Sequence, residues 1–194
     1  MKKKITKLWM LLFLLIGYGI GGNAQTATAP SGSGTSGDPY QITSLDNLYW
    51  IAYEISIQTL DNGTYFTGLY FKQMNDIDAS ATSTWFSGAG WLPIGFTDET
   101  TNNYKDFGGY YDGQGYTISN LYINRPDESN IGFFGTITDG YVKNLGLKNL
   151  TINAKSSVGG LIGYWYGSSG GYTIENCYTT GTITCSGSNV GGLI

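Results

Sequence analysis

The sequence predicts an all-β chain, a right-handed parallel β-helix (a solenoid) with one short N-terminal capping helix. Three observations point there. Two short units recur in alternation through the C-terminal half, apolar residues in the first unit straddle an asparagine as a bend requires, and a single stretch of the mature chain has helical periodicity.

Residues 1–24 read as an export signal. Lys2, Lys3, Lys4 and Lys7 form a basic start, Leu8 to Ile16 an apolar run, and Gly22 and Ala24 the small residues before a cut after Ala24. Gly17, Gly19, Gly21 and Gly22 shorten the run below the about 20 apolar residues a spanning helix needs. The expectation is an exported chain, at the cell surface or extracellular, with no membrane insertion after signal removal. Residues 25–37, rich in Ser, Thr, Gly and Pro, read as a disordered linker. Residues 38–117 read as an N-terminal capping region and first coils. Within them Leu45, Leu48 and Ile55 recur at helical spacing behind Ser44, a residue suited to an N-cap. Residues 118–194 read as the repeats, truncated at the C-terminus.

The first repeated unit is Ile118-Ser-Asn120-Leu121-Tyr-Ile123, then Val142-Lys-Asn144-Leu145-Gly-Leu147, then Ile174-Glu-Asn176-Cys177-Tyr-Thr179. A straight strand brings residues two apart to one face, whereas here the apolar pair is three apart. Asparagine tolerates the left-handed region, so Asn120, Asn144 and Asn176 are expected at one corner of successive coils. The second unit is Ile131-Gly-Phe-Phe-Gly135, then Val158-Gly159-Gly160-Leu161-Ile162-Gly163, then Val190-Gly191-Gly192-Leu193-Ile194. Stacked coils would place like residues over like. A propeller or sandwich fits less well, because the intervals are short and uneven and only the Asp112-Gly113 turn reads as a hairpin, although one antiparallel hairpin near the start is allowed.

Composition excludes several classes. The sequence has no histidine, which removes Ser-His-Asp and Cys-His nucleophiles and histidine-bound zinc. Without the signal, six basic residues face fourteen acids, a formal charge of −8, so nucleic acid is a poor partner. No cofactor and no metal site is expected. Cys177 and Cys185 leave two readings, a disulfide or thiols, with Cys177 standing where other repeats carry a core Leu.

The Val-Gly-Gly-Leu-Ile runs at 158–162 and 190–194 resemble the GLUG motif of bacterial surface proteins, and segments such as Asp38-Pro39-Tyr40-Gln41-Ile42 and Asn75-Asp76-Ile77-Asp78 resemble the region preceding such repeats. The resemblance covers about 37–194. It implies a parallel β-helix of the kind found in adhesins and in the non-catalytic repeats of exported immunoglobulin A-specific metalloproteases. It carries architecture and no catalytic residues.

Two groups of side chains are candidates for chemistry. Asp76 and Asp78, two apart on a strand, lie about 7 Å apart on one face, near the spacing of inverting glycosidase carboxylates; alternatively Ile77 enters the core and both acids hold a turn. Tyr164, Trp165 and Tyr166, with Tyr110 and Tyr111, could bind host or neighbouring-cell proteins or glycans if exposed, Trp165 above all; alternatively alternate rings fill the core. The leading function is adhesion or binding without catalysis. A glycan-active solenoid enzyme and an accessory N-terminal region of a larger exported protease are the alternatives, and convergence of Asp76, Asp78, Asp106 and Asp112 on one groove would favour the enzyme.

Overall fold

The computed structural model describes residues 25–57, 63–98, 103–166 and 173–194; the expected signal segment lies outside them. The chain begins with β1 (Tyr40–Ile42), α1 (Leu45–Ser56), β2 (Gly63–Tyr65), β3 (Tyr70–Gln73) and β4 (Ile77–Asp78). A 3-10 stretch (Ser80–Gly88), kinked at Trp85, Phe86 and Ser87, leads to β5 (Phe96–Asp98) and β6 (Asn103–Phe107). Then come β7 (Tyr110–Asp112), β8 (Thr117–Ser119), β9 (Tyr122–Ile131), β10 (Phe134–Thr138), β11 (Tyr141–Lys143) and β12 (Gly146–Gly159). The last strands are β13 (Ile162–Tyr166), β14 (Ile174–Glu175), β15 (Tyr178–Cys185) and β16 (Val190–Gly191).

These strands form three parallel sheets that the chain visits in rotation. The first sheet has the order β1-β3-β7-β11-β14, the second β13-β10-β6-β2, and the third β15-β12-β8-β4 with β9 and β16 also on β12. Successive circuits add rungs to these sheets in turn, so strand order within each sheet follows chain order. In the first circuit α1 occupies the chain position at which later circuits lay a strand on the third sheet, between β1 and β2. Ser44 caps the helix by accepting from the Asn47 N–H at 3.2 Å, and Leu48, Ile51, Ala52 and Ile55 are buried. The antiparallel exception among the named strands is β5 against β6, a hairpin. The Asp112-Gly113 turn is not one: it links β7 to β8, which lie in different sheets and pair in parallel with the rungs beside them.

Register places like over like. Tyr111, Val142 and Ile174 form one inward column, Ile77, Ile118 and Leu147 a second, Ile123, Ile152 and Ile183 a third, and Ile131 and Val158 a fourth, in register with Val190, which is exposed. Each aliphatic side chain buried in such a column contributes about 1.5–3 kcal/mol. Aromatic rings complete the core, with Phe107 5.6 Å from Phe71 and 5.1 Å from Phe134, and Trp91 stacked on Phe133 at 5.5 Å.

The asparagine repeat resolves into two corners, not one. Asn144 and Asn176 turn the chain from the first sheet to the third, one above the other, and the Asn176 amide donates to Asn144 Oδ1 at 3.1 Å. Asn120 belongs to a second bend, inside the third sheet: Ile118 pairs with Leu147 and Tyr122 with Thr151, so Asn120 and Leu121 stand over Asn149 and Leu150. All four asparagines have φ between 51° and 61°. The matching hexapeptide is therefore Leu147-Lys-Asn149-Leu150-Thr-Ile152, and Leu121 does not share the column of Leu145 and Cys177.

The linker expectation fails for a local reason. Residues 25–37 are tied to the first rung: Thr28 exchanges hydrogen bonds with the start of α1, donating to Asp46 O and accepting from the Asn47 amide, while Ser31 O accepts from Gln41 N at 2.8 Å and Gly34 O from Tyr70 N at 2.9 Å. Backbone pairing supplies the order that apolar burial could not.

Candidate contact surface

The acids are spread over all three sheets. Asp76 and Asp78 flank Ile77 at the third sheet, Asp106 lies on β6 of the second, and Asp112 on β7 of the first. Ile77 is buried and both neighbours are exposed, which is the turn-holding arrangement. Asp76 Oδ1 accepts from the Thr117 N–H at 2.7 Å and its hydroxyl at 3.1 Å, and these bonds hold the carboxyl below the ordinary value. Asp78 is lowered by the Asn120 amide at 3.0 Å and by the Ser80 hydroxyl and N–H. Burial acts against Asp112, but the Asn144 amide, the Gln114 N–H and Lys143 outweigh it and its pKa also falls. Asp106 is the contrary case: burial pushes its carboxyl up, and the Thr138 hydroxyl at 2.7 Å opposes that. A general acid needs a raised pKa beside a second carboxylate; the raised acid and the Asp76–Asp78 pair sit on different sheets. Among the described residues no group of three or more Cys, Asp or Glu is placed to hold a metal ion.

The aromatic candidates divide by strand alternation. On β13 Tyr164 and Tyr166 point outward, 45 % and 59 % exposed, while Trp165 turns inward and packs against the core. On β7 Tyr111 is fully buried, its hydroxyl donating to the buried Gln73 Oε1 at 3.0 Å, so it serves the interior and not a partner. Tyr110 faces out between two residues that repeat reasoning missed, Tyr70 and Tyr141. The three are in register, with ring centroids 4.7 and 4.8 Å apart. The rings are tilted by 44° and 32° to one another, and at this spacing each covers part of its neighbour's face. That geometry stabilises the stack and leaves little open π-face for a sugar.

Beside this row runs a column of alternating charge, Lys72, Asp112, Lys143 and Glu175, one residue per rung. Lys143 Nζ lies 3.5 Å from Asp112 Oδ2. Shallow grooves of about 180 and 190 Å³ follow the two columns. The signal for them was a tyrosine two residues before a charged residue in each of 70–72, 110–112 and 141–143.

The remaining candidates are structural. A Cβ on Gly159 would collide with the Ile162 carbonyl and lie 2.8 Å from Ile194 Cα, and one on Gly160 would meet Gly192 O at 2.5 Å; Gly191 is closed off by Ile194, whereas Gly192 has open space. Cys177 and Cys185 are both free thiols. Cys177 immediately precedes β15 and Cys185 ends it, with the bend at Gly181 and the extended chain of this eight-residue strand between them, which keeps them beyond the about 7 Å Cα limit of a disulfide. Cys177 continues the column of Leu145, and burial pushes its thiol pKa up.

No family model matches the chain. Halomucin from Haloquadratum walsbyi is 38 % identical over 176 residues, covering 89 % of this chain and 2 % of that protein. A candidate Gly-rich membrane protein from Evansella cellulosilytica is 34 % identical over 152 residues, covering 75 % of this chain and 15 % of the other. The chain thus spans a small fraction of the curated relatives it matches. A solved structure of a candidate immunoglobulin A1 protease from Bacteroides ovatus superposes with a TM-score of 0.51 at 22 % identity, over 79 % of this chain and 40 % of that one. At that identity the likeness concerns the fold, and it agrees with the second resemblance drawn from the repeats. No helix among the described residues is long and apolar enough to cross a membrane.

Proposed function

We propose that the chain is an exported right-handed β-solenoid module, at the cell surface or secreted, that serves adhesion or binding of proteins or glycans without catalysis. The observation that carries the reading is the use made of polar side chains: Asp76, Asp78, Asp112 and Asn144 each bond to the adjacent rung and do not converge on a cavity. Such a rod offers area and repetition, which suit contact more than turnover. The relatives support export, since one carries the name halomucin and another the description of a membrane protein, and both are far longer than this chain. The fold likeness to a candidate protease brings no protease chemistry with it.

The outward Tyr164 and Tyr166 are the contact residues on this reading, with Tyr110 contributing as well. Binding of the purified chain to bacterial and host cell surfaces and to a glycan array tests it. Retention that falls at least about tenfold in Tyr164→Ala/Tyr166→Ala, at unchanged thermal stability, is the expected result. Release of reducing ends from mixed glycans would replace the reading with an enzyme.

A further inference from the structure

The charge column on the first sheet has a symmetry that a merely stacked rod does not require. Read along the axis it runs Lys72, Asp112, Lys143, Glu175, plus-minus-plus-minus, and the four strands are parallel and in register. A two-fold axis lying in the plane between two such faces and parallel to the strands, level with the gap between Asp112 and Lys143, reverses the order on a second copy. Lys72 then faces Glu175 and Asp112 faces Lys143, each pair occurring twice, and no like charges meet. The neighbouring row obeys the same operation, with Tyr110 facing Tyr141.

We infer that the outer face of the first sheet is a self-complementary surface through which a second copy of this chain docks antiparallel, forming a two-fold dimer. Isologous contacts are self-complementary by symmetry, and tyrosine is enriched where they form. The residues are available: Lys72, Asp112 and Lys143 are half-buried and Glu175 is exposed. The outer charges stand three rung spacings apart, roughly 14 Å, so the strip is smaller than a standard interface. Its exposed ion pairs are individually weak, and association is accordingly weak and salt-sensitive.

The inference names a partner for a face that the proposed function treats as contact surface, and rests on that reading to this extent. Sedimentation velocity on the isolated chain tests it apart from cell or glycan binding. The wild-type chain should self-associate at low salt and weaken roughly tenfold between ~20 and ~500 mM NaCl. Lys72→Glu and Glu175→Lys each place two like-charged pairs across the axis and should weaken the dimer at least about tenfold. An equimolar mixture of the two, and the double variant Lys72→Glu/Glu175→Lys, both restore opposite pairs and should recover it. All variants spare Asp112, which holds its corner, and thermal melts confirm folding. A chain that stays monomeric at low salt, association indifferent to every variant, or folded double variants no better than either single would overturn the inference.

Discussion

At Gly159 the chain leaves β12 for the second sheet with the Ile162 carbonyl and Ile194 Cα against the place a methyl would occupy. The obstruction is backbone, which cannot swing aside as a side chain can. Gly159→Ala should therefore cost about 1–3 kcal/mol in urea unfolding, as overpacked interiors do. Gly192, which stands at the position of Gly160 in the next Val-Gly-Gly run, has nothing within 4 Å of an added Cβ. Gly192→Ala should stay within about 0.5 kcal/mol of wild type. Equal effects would show that the paired glycines act through chain flexibility and not through closeness of the rungs.

The corners are where element-scale reasoning from sequence both succeeded and slipped. Asparagine three residues from an apolar partner marks a bend because its side chain makes left-handed backbone tolerable, and Asn120, Asn144 and Asn176 all have positive φ. What the repeats could not reveal is that a circuit has two bends, and that the β11–β12 circuit carries an asparagine with the same local pattern at each, Asn144 and Asn149. Aligning 118–123 with 142–147 crosses from one bend to the other, and pairing geometry alone separates them. Asn149, at the bend beside Asn120, has φ 55°. Asn149→Ala should cost about 1–2 kcal/mol, while Asn149→Gly should be near neutral; if Ala and Gly behaved alike in denaturant melts, the corner would be held by side-chain bonds instead. The tyrosine row escaped the repeat reading because its period lies in register across rungs. Tyr111 and Trp165 were misjudged because alternation on a short strand fixes which neighbours share a face and not which face looks inward.

For the molecule as a whole, rungs are joined by carboxylates as well as by columns of aliphatic side chains. Asp76 reaches Thr117, Asp78 reaches Asn120 and Asp112 reaches Asn144, in each case one rung further on. All three carboxyls are held below their ordinary value in the fold, whereas in the unfolded chain they titrate near 3.9. Between those values the unfolded chain binds more protons, so stability rises with pH there. Their contribution is complete above the unfolded pKa and is lost as pH falls through the folded one. Asp106, raised by burial, has the opposite sign: what it adds is complete below its unfolded pKa and lost as pH rises through the folded one. With three acids against one, the urea midpoint should hold steady from neutrality to about pH 5 and fall below about pH 4. Asp76→Asn/Asp78→Asn should lower the neutral midpoint and flatten the acid limb, because an amide oxygen still accepts these bonds but carries no charge to titrate. A wild-type midpoint unchanged down to about pH 3 would mean that the carboxylates sit between the rungs without holding them.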